Sequence, residues 1–276
     1  MIEEVMNRIN DEELELLLQD LIEDHGYDFT EYSRASLMRR VNRLCSIDKF
    51  PSFAELRYKL RSDADYLQRF IEEITVNVTE MFRDPSFYEV LRKKVLPVLA
   101  TYPFIRIWHA GCATGEEVYS MAILLEEAKL TERSLLYATD INPSALEHAR
   151  KGIFSLSQMK GYSENYIESG GKEDFSKYYV AKYDYAMFEE KLKRKMIFAT
   201  HNLVSDRSFN EFQLILCRNV LIYFDKELQN RVFSLFDASL EPLGFLALGN
   251  KETQRFSSIA HKYTQVSNEK IWRKMI

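Results

Sequence analysis

The chain has 276 residues, 46% of them hydrophobic and 29% charged, with a formal net charge of -5. That is enough apolar material for a sizeable core, in one large domain or two modest ones. The acidic balance gives no compositional support to sequence-independent nucleic-acid binding, and no apolar run approaches the length that spans a bilayer.

The opening MIEEVMNRINDEELELL lacks the basic-then-apolar layout of a secretory signal, so the expected location is the cytosol, with no direct membrane insertion. Cys45, Cys112 and Cys217 are scattered and show no Cys-x-x-Cys spacing. They read as reduced thiols, and no metal site is predicted.

From Glu12 to about Phe82 the pattern is helical. Leu14, Leu17, Leu18, Leu21 and Ile22 recur at the spacing of one buried face, and His25-Gly26 ends the first helix. In SRASLMRRVNRL, Leu37, Val41 and Leu44 form the apolar stripe, leaving Arg39, Arg40 and Arg43 largely off it. SFAELRYKLRSD and ADYLQRFIEEIT continue the helical pattern. The β-branched ITVNVTEMF then marks a change to extended chain and a domain hinge. These observations predict an all-helical domain over residues 1–82 and a second domain over 83–276.

Strand-like and helical runs alternate from about Phe104: IRIWHA, EEVYSMAILLEEA, SLLYATD and PSALEHARKG, then KMIFATHNL, FQLILCRNV, KELQNRVFSLFDASL and GFLALGN. Such alternation predicts an α/β fold with a parallel sheet, and KIWRKM is expected as an edge strand. Between these runs, about 156–195 is polar, tyrosine-rich and partly alternating, which predicts an inserted small β-subdomain.

The strongest local signal is IRIWHAGCATGEE, a strand running into Gly111-x-x-x-Gly115 and a helix. Glycines there permit a tight turn and close ligand approach at the carboxyl end of a sheet. No Gly-Lys-Ser/Thr follows, and the third glycine of a dinucleotide loop is absent. Glu116 and Glu117 suit the positive end of a helix but would repel a pyrophosphate, so a ligand with cationic groups fits better. Asp140 closes the next strand, where a carboxylate can take both hydroxyls of a ribose. The alternative is that the glycines are plain turn residues and Asp140 caps the helix starting at Pro143.

With TVNVTEMFRD, GCATGEEVYS, YATDIN, FATHNL and LCRNVLIYFD in this order, the chain resembles the chemotaxis receptor methyltransferase family known as CheR. The resemblance implies a Rossmann-like class I methyltransferase sheet carrying the inserted antiparallel β-subdomain, preceded by the all-helical domain. It implies S-adenosylmethionine as cofactor, S-adenosylhomocysteine as product and glutamate side chains of receptor cytoplasmic helices as substrate. Asn77, Thr79 and Arg83 of the hinge would contact the methionine portion, Glu117 its amino end and Asp140 the ribose. Asn202 and Leu203 would border the adenine, and Asn219 and Val220 would line the pocket. Arg83 and Tyr223 would stand near the reacting sulfonium. Arg39, Arg40 and Arg43 would meet acidic receptor helices, the alternative being a solvated arginine face.

A glutamate carboxylate is ionised at neutral pH, so the reaction needs positioning and desolvation rather than a general base. Two features depart from relatives. Gly170-Gly171 lacks the arginine-glycine pattern of members that tether a receptor C-terminal peptide, which argues against tethering here. LALGNKE has Asn250 and Lys251 where relatives often carry His-Ser. The competing readings are a small-molecule methyltransferase and a non-catalytic cofactor-sensing module.

Overall fold

A computed structural model describes residues 8–75 and 78–275. The chain divides into two compact units, one comprising Met1–Val76 with Ile222–Arg231, the other Asn77–Leu221 with Val232–Ile276.

The first unit contains α1 (Asp11–His25), α2 (Arg34–Asp48), α3 (Phe53–Ser62) and α4 (Ala64–Ile74). Their ends follow from local chemistry. Asn10 and Glu13 form a reciprocal capping box on α1, and Gly26 closes it at φ 75°. Ser52 and Asp63 cap α3 and α4. Of the expected stripe, Leu14, Leu17, Leu18 and Leu21 are buried while Ile22 is exposed, and on α2 Leu37, Val41 and Leu44 are buried. Residues 222–231 close the unit: the Ser33 N–H donates to the Tyr223 carbonyl at 2.7 Å, and the Tyr32 and Phe224 rings meet edge to face at 4.8 Å. Arg231 pairs with Glu31.

The second unit opens with α5 (Pro85–Val90), a π-helical turn and α6 (Leu96–Leu99). It continues through β1 (Ile105–Ala110), α7 (Glu116–Glu127), β2 (Ser134–Asp140), α8 (Pro143–Lys151), β3 (Ile153–Ser155), α9 (Met159–Glu168), β4 (Tyr179–Lys182), β5 (Tyr185–Phe188) and α10 (Glu190–Lys193). Then follow β6 (Met196–Thr200), β7 (Phe212–Cys217), α11 (Lys226–Ser239, whose residues up to Arg231 belong to the first unit), β8 (Leu240–Leu248), β9 (Tyr263–Gln265) and β10 (Ile271–Lys274). The main sheet runs β6-β2-β1-β7-β8-β10-β9. The first five strands are mutually parallel, while β10 and β9 are antiparallel to their neighbours. Successive strands fill outward from β1 on one side and then from β7 on the other, so the chain reverses its order at the β1/β7 pair. Open α/β sheets bind ligands in the crevice at such a point.

One expectation needs correction. KIWRKM is β10, which lies inside the sheet, and β9 forms the edge. β10 pairs with β8 through Ile271–Arg273 and with β9 through Trp272–Lys274, while the Ile271 and Trp272 side chains are buried. The expected inserted antiparallel β-subdomain is present. Its three-stranded antiparallel sheet β3-β5-β4 begins at Ile153, and α9 lies between its strands. Three of its tyrosines are core, with Tyr162, Tyr166 and Tyr178 buried among Phe82, Phe154, Phe175 and Phe188, whereas Tyr183 and Tyr185 are exposed. Met81 and Phe82, expected at the end of the helical domain, belong to this second core.

The glycine pair at Gly170-Gly171 has a packing role. Gly170 sits at φ 85°, and a Cβ at Gly171 would stand 2.3 Å from the Tyr166 ring. Free thiols at Cys45, Cys112 and Cys217 are all buried. No helix among the described residues is long and apolar enough to cross a membrane.

Candidate functional site

The hinge motif enters the second unit through a constrained turn; Asn77 lies outside the described residues. Thr79 and Arg83 are half-buried, whereas Met81 and Phe82 are fully buried. Phe82 and Asp84 both adopt the left-handed region, at φ 53° and 59°. Such strain in non-glycine residues persists only where the surroundings over-determine it. Here the Phe82 ring sits against Tyr88 and Tyr166, and its N–H donates to Ser120 Oγ at 2.9 Å. Arg83 Nη1 reaches the Val78 carbonyl at 3.4 Å.

The loop after β1 is tied to the end of β2. The N–H groups of Gly111 and Cys112 donate to the Thr139 carbonyl, at 2.8 and 2.9 Å. That of Ala113 donates to Asp140 Oδ2 at 2.8 Å. Gly111, at φ 79°, lies against Val220, whose Cγ2 would be 2.5 Å from a Cβ there. Gly115 is required for a different reason: a Cβ would meet that of Ala149 at 2.7 Å, so this glycine lets the loop pack on α8.

Asp140 does not cap α8. Asn142 does, accepting from the Ser144 and Ala145 N–H groups, while Asp140 Oδ1 accepts from the Asn142 N–H at 2.9 Å. Burial pushes the Asp140 carboxyl above its ordinary range, and backbone N–H bonds oppose that shift. Its two oxygens therefore hold together the two loops that flank the crevice.

The two glutamates at the start of α7 have separate environments. Glu116 is buried, bonded to Thr114 at 2.7 Å and Tyr162 at 3.5 Å, and burial raises its pKa to about 7. Glu117 experiences burial too, but His109 Nδ1 at 2.9 Å and Arg218 Nη1 at 3.3 Å outweigh it, holding its carboxyl below the ordinary range. Glu117 is therefore the ionised member of the pair. His109 and Arg218 were not singled out from the sequence. Arg218 lies inside the quoted LCRNV motif, yet its partners are remote in the chain and leave no local pattern.

At the end of β7, Asn219 adopts φ 60°. Its N–H donates to Glu252 Oε2 at 2.9 Å, and the same oxygen receives the Gly249 N–H at 2.6 Å. Glu252 thereby clamps the ends of β7 and β8, whereas Asn250 and Lys251, the departures from relatives, are exposed. After β6, the Asn202 side chain accepts from the Val204 N–H at 2.9 Å and shapes a turn that includes the half-buried Leu203.

In the first unit, the Tyr223 ring carries the Arg40 guanidinium at 4.8 Å, and Arg40 also donates to the Ile74 carbonyl. Arg39 and Arg43 are exposed. The three arginines thus do not form one free stripe, because Arg40 is committed to packing.

The loop glycines, Asp140, Asn219 and Val220 are placed at the carboxyl ends of β1, β2 and β7 or in the loops that follow them, and Glu117 is in the first turn of α7 after the β1 loop. The ionised carboxylate of Glu117 at one side and the strand-end carboxylate of Asp140 at the other suit a ligand carrying an ammonium group and vicinal hydroxyls. This donor set fits S-adenosylmethionine and opposes a polyphosphate. A separate cavity, lined by Arg92, Glu127, Lys172 and Tyr178 among others, includes none of the residues predicted from the sequence.

Two family models match the chain. One described as "CheR methyltransferase, SAM binding domain" covers residues 77–271, and one described as "CheR methyltransferase, all-alpha domain" covers 12–75. A protein of Pseudomonas putida named "Putative methyltransferase Cher3" is 44% identical over 270 residues, covering 97% of this chain and 98% of that protein. A "Chemotaxis protein methyltransferase" of Listeria innocua is 33% identical over 231 residues, 83% of this chain and 85% of that protein. One of Salmonella typhimurium with the same name is 30% identical over 255 residues, 88% of this chain and 81% of that protein. The chain belongs to the CheR methyltransferase family and is an S-adenosylmethionine-dependent methyltransferase.

Proposed function

We propose that the protein transfers methyl groups to glutamate side chains on the cytoplasmic helices of chemotaxis receptors, forming methyl esters. The observation that carries this reading is the placement of Glu117, paired with His109 and Arg218, and of Asp140 at the two sides of the crevice where the sheet reverses its order, in a chain whose relatives are named chemotaxis protein methyltransferases. S-adenosylmethionine, when bound, supplies a methyl group on a sulfonium.

The chain's residues bind and position. Glu117 receives the ammonium end, and Asp140 faces the ribose hydroxyls while keeping its backbone bonds. Gly111 and Val220 shape the floor of the crevice, and the turns carrying Asn202, Leu203 and Asn219 border it. Asn77 and Thr79 of the hinge, with Arg83, serve the methionine portion. Arg83 and Tyr223 serve the reacting centre, where Arg83 orients an anionic group and Tyr223 offers a phenolic hydroxyl. The acceptor carboxylate is already ionised at neutral pH, so no side chain is required as a base. Arg39 and Arg43 supply exposed positive charge for an acidic helix. Neither a small-molecule methyltransferase nor a non-catalytic module is favoured by the family match.

The test is methylation with radiolabelled cofactor and purified receptor cytoplasmic fragments. Label should appear on glutamates and be released by mild base, as carboxyl esters are. Label stable to base, or none on any receptor fragment while the cofactor binds, would refute the assignment.

A further inference from the structure

We infer that Arg218 is a positioning residue for the methionine end of the cofactor site, acting through Glu117 and through the Arg83–Asp84 turn. The inference rests on the reading that Glu117 receives the cofactor's amino group.

Arg218 follows β7, and its side chain is 2% exposed. Nη2 donates to Asp84 Oδ2 at 2.6 Å and to the Arg83 carbonyl at 3.0 Å, while Nη1 faces Glu117 Oε2 at 3.3 Å. Its guanidinium lies over the Phe87 ring at 4.0 Å. One rigid fork therefore joins three separate segments: the end of β7, the first turn of α7 and the hinge turn before α5. A compact ammonium could not make these bonds in one plane or stack as the guanidinium does.

Two consequences follow from that geometry. Glu117 is kept ionised and aimed, because one of its oxygens faces Arg218 and the other faces His109. The left-handed Asp84 is held by the same cation, and with it the backbone that presents Arg83. A charge buried this deeply among carboxylates is weak evidence for stability as such, since hydrophobic replacements often do as well. Its value lies in fixing where neighbouring groups point.

The experiment compares calorimetric binding of two ligands to the full chain. S-adenosylhomocysteine carries the amino and carboxyl groups, and 5′-methylthioadenosine shares the nucleoside and thioether but lacks both. Arg218→Lys should weaken S-adenosylhomocysteine about 10- to 100-fold, the range for residues that orient the direct ligands of a site. It should leave 5′-methylthioadenosine within about twofold, a ratio worth less than half a kcal/mol. Asp84→Asn, which keeps Arg218 in place and alters a partly exposed partner, should show the same selective loss at smaller size, and it decides the matter if Arg218→Lys does not fold. Equal loss for both ligands would make Arg218 a structural residue only, and no loss for either would remove the role. Failure of the unaltered protein to bind S-adenosylhomocysteine would instead overturn the reading beneath it.

Discussion

Val220 occupies the space that a side chain at Gly111 would need, its Cγ2 lying 2.5 Å from the position of the missing Cβ. Two loops from opposite sides of the sheet's order reversal thus meet at a point where only glycine fits. Gly111→Ala should lower stability by about 1–3 kcal/mol through overpacking, with φ strain added, and should weaken S-adenosylhomocysteine binding. Adding Val220→Ala should recover part of the stability, because it removes the clash and leaves the strain. Thermal melts of the single and double variants check this; equal melting points would exclude the contact as the cause.

Glu116 gives a pH dependence with a definite sign. Its folded pKa of about 7 stands above the ordinary 4.5. Between these values the folded state holds a proton that the unfolded state has released, so this group's contribution to stability is full below 4.5 and is lost as pH rises towards 7. Glu116→Gln should therefore match the unaltered protein near pH 5 and exceed it near pH 8 by about 1–3 kcal/mol. Denaturant unfolding at the two pH values measures it.

Asp140→Asn replaces one acceptor oxygen by an amide that faces a backbone N–H. One of the bonds to Ala113 and Asn142 must fail, costing about 1–3 kcal/mol. Nucleoside affinity should fall with it, for S-adenosylhomocysteine and 5′-methylthioadenosine alike. Calorimetry with both ligands distinguishes this from a defect at the methionine end.

Arg83→Ala should reduce turnover by about 100- to 1,000-fold, as loss of a group acting in the transition state does, while stability stays within about 0.5 kcal/mol. Tyr223→Phe retains the ring that carries Arg40, so it too should fold normally and lose turnover. Single-turnover methylation reads both, and full rates in both variants would cancel their assignment to the reacting centre.

The arginines of α2 should separate by their environments. Arg39→Glu and Arg43→Glu alter exposed charges, so folding should be unaffected, and receptor methylation should slow at low salt with the difference shrinking as salt rises. Arg40→Glu should instead destabilise the protein, since it breaks the contacts with Ile74 and Tyr223. Rates unchanged at low salt in the first two variants would end the docking proposal.

What was legible in the sequence was local. SLLYATD is β2 to the residue and IRIWHA is β1, because apolar β-forming runs were bounded by turn chemistry. Pairing across the chain was not legible. Nothing near KIWRKM tells that another strand covers its far side, and α9 was hidden because its buried tyrosines read as polar. Arg218 meets Glu117 and Asp84 across separations of 101 and 134 residues, too far for any spacing rule to register. Asn142, not Asp140, caps α8, as an asparagine directly before Pro143 at the first helical position indicates.

The helical unit is built from two stretches of polypeptide, since 222–231 completes what the amino-terminal helices begin. Proteolytic nicking near the hinge would consequently leave the helices gripping the rest through Ser33, Tyr32 and Glu31. Recombinant fragments that stop at the hinge would lack Tyr223 and Phe224 and leave apolar surface uncovered. Dissection of this enzyme into working halves therefore calls for a permuted or grafted chain, not a single cut.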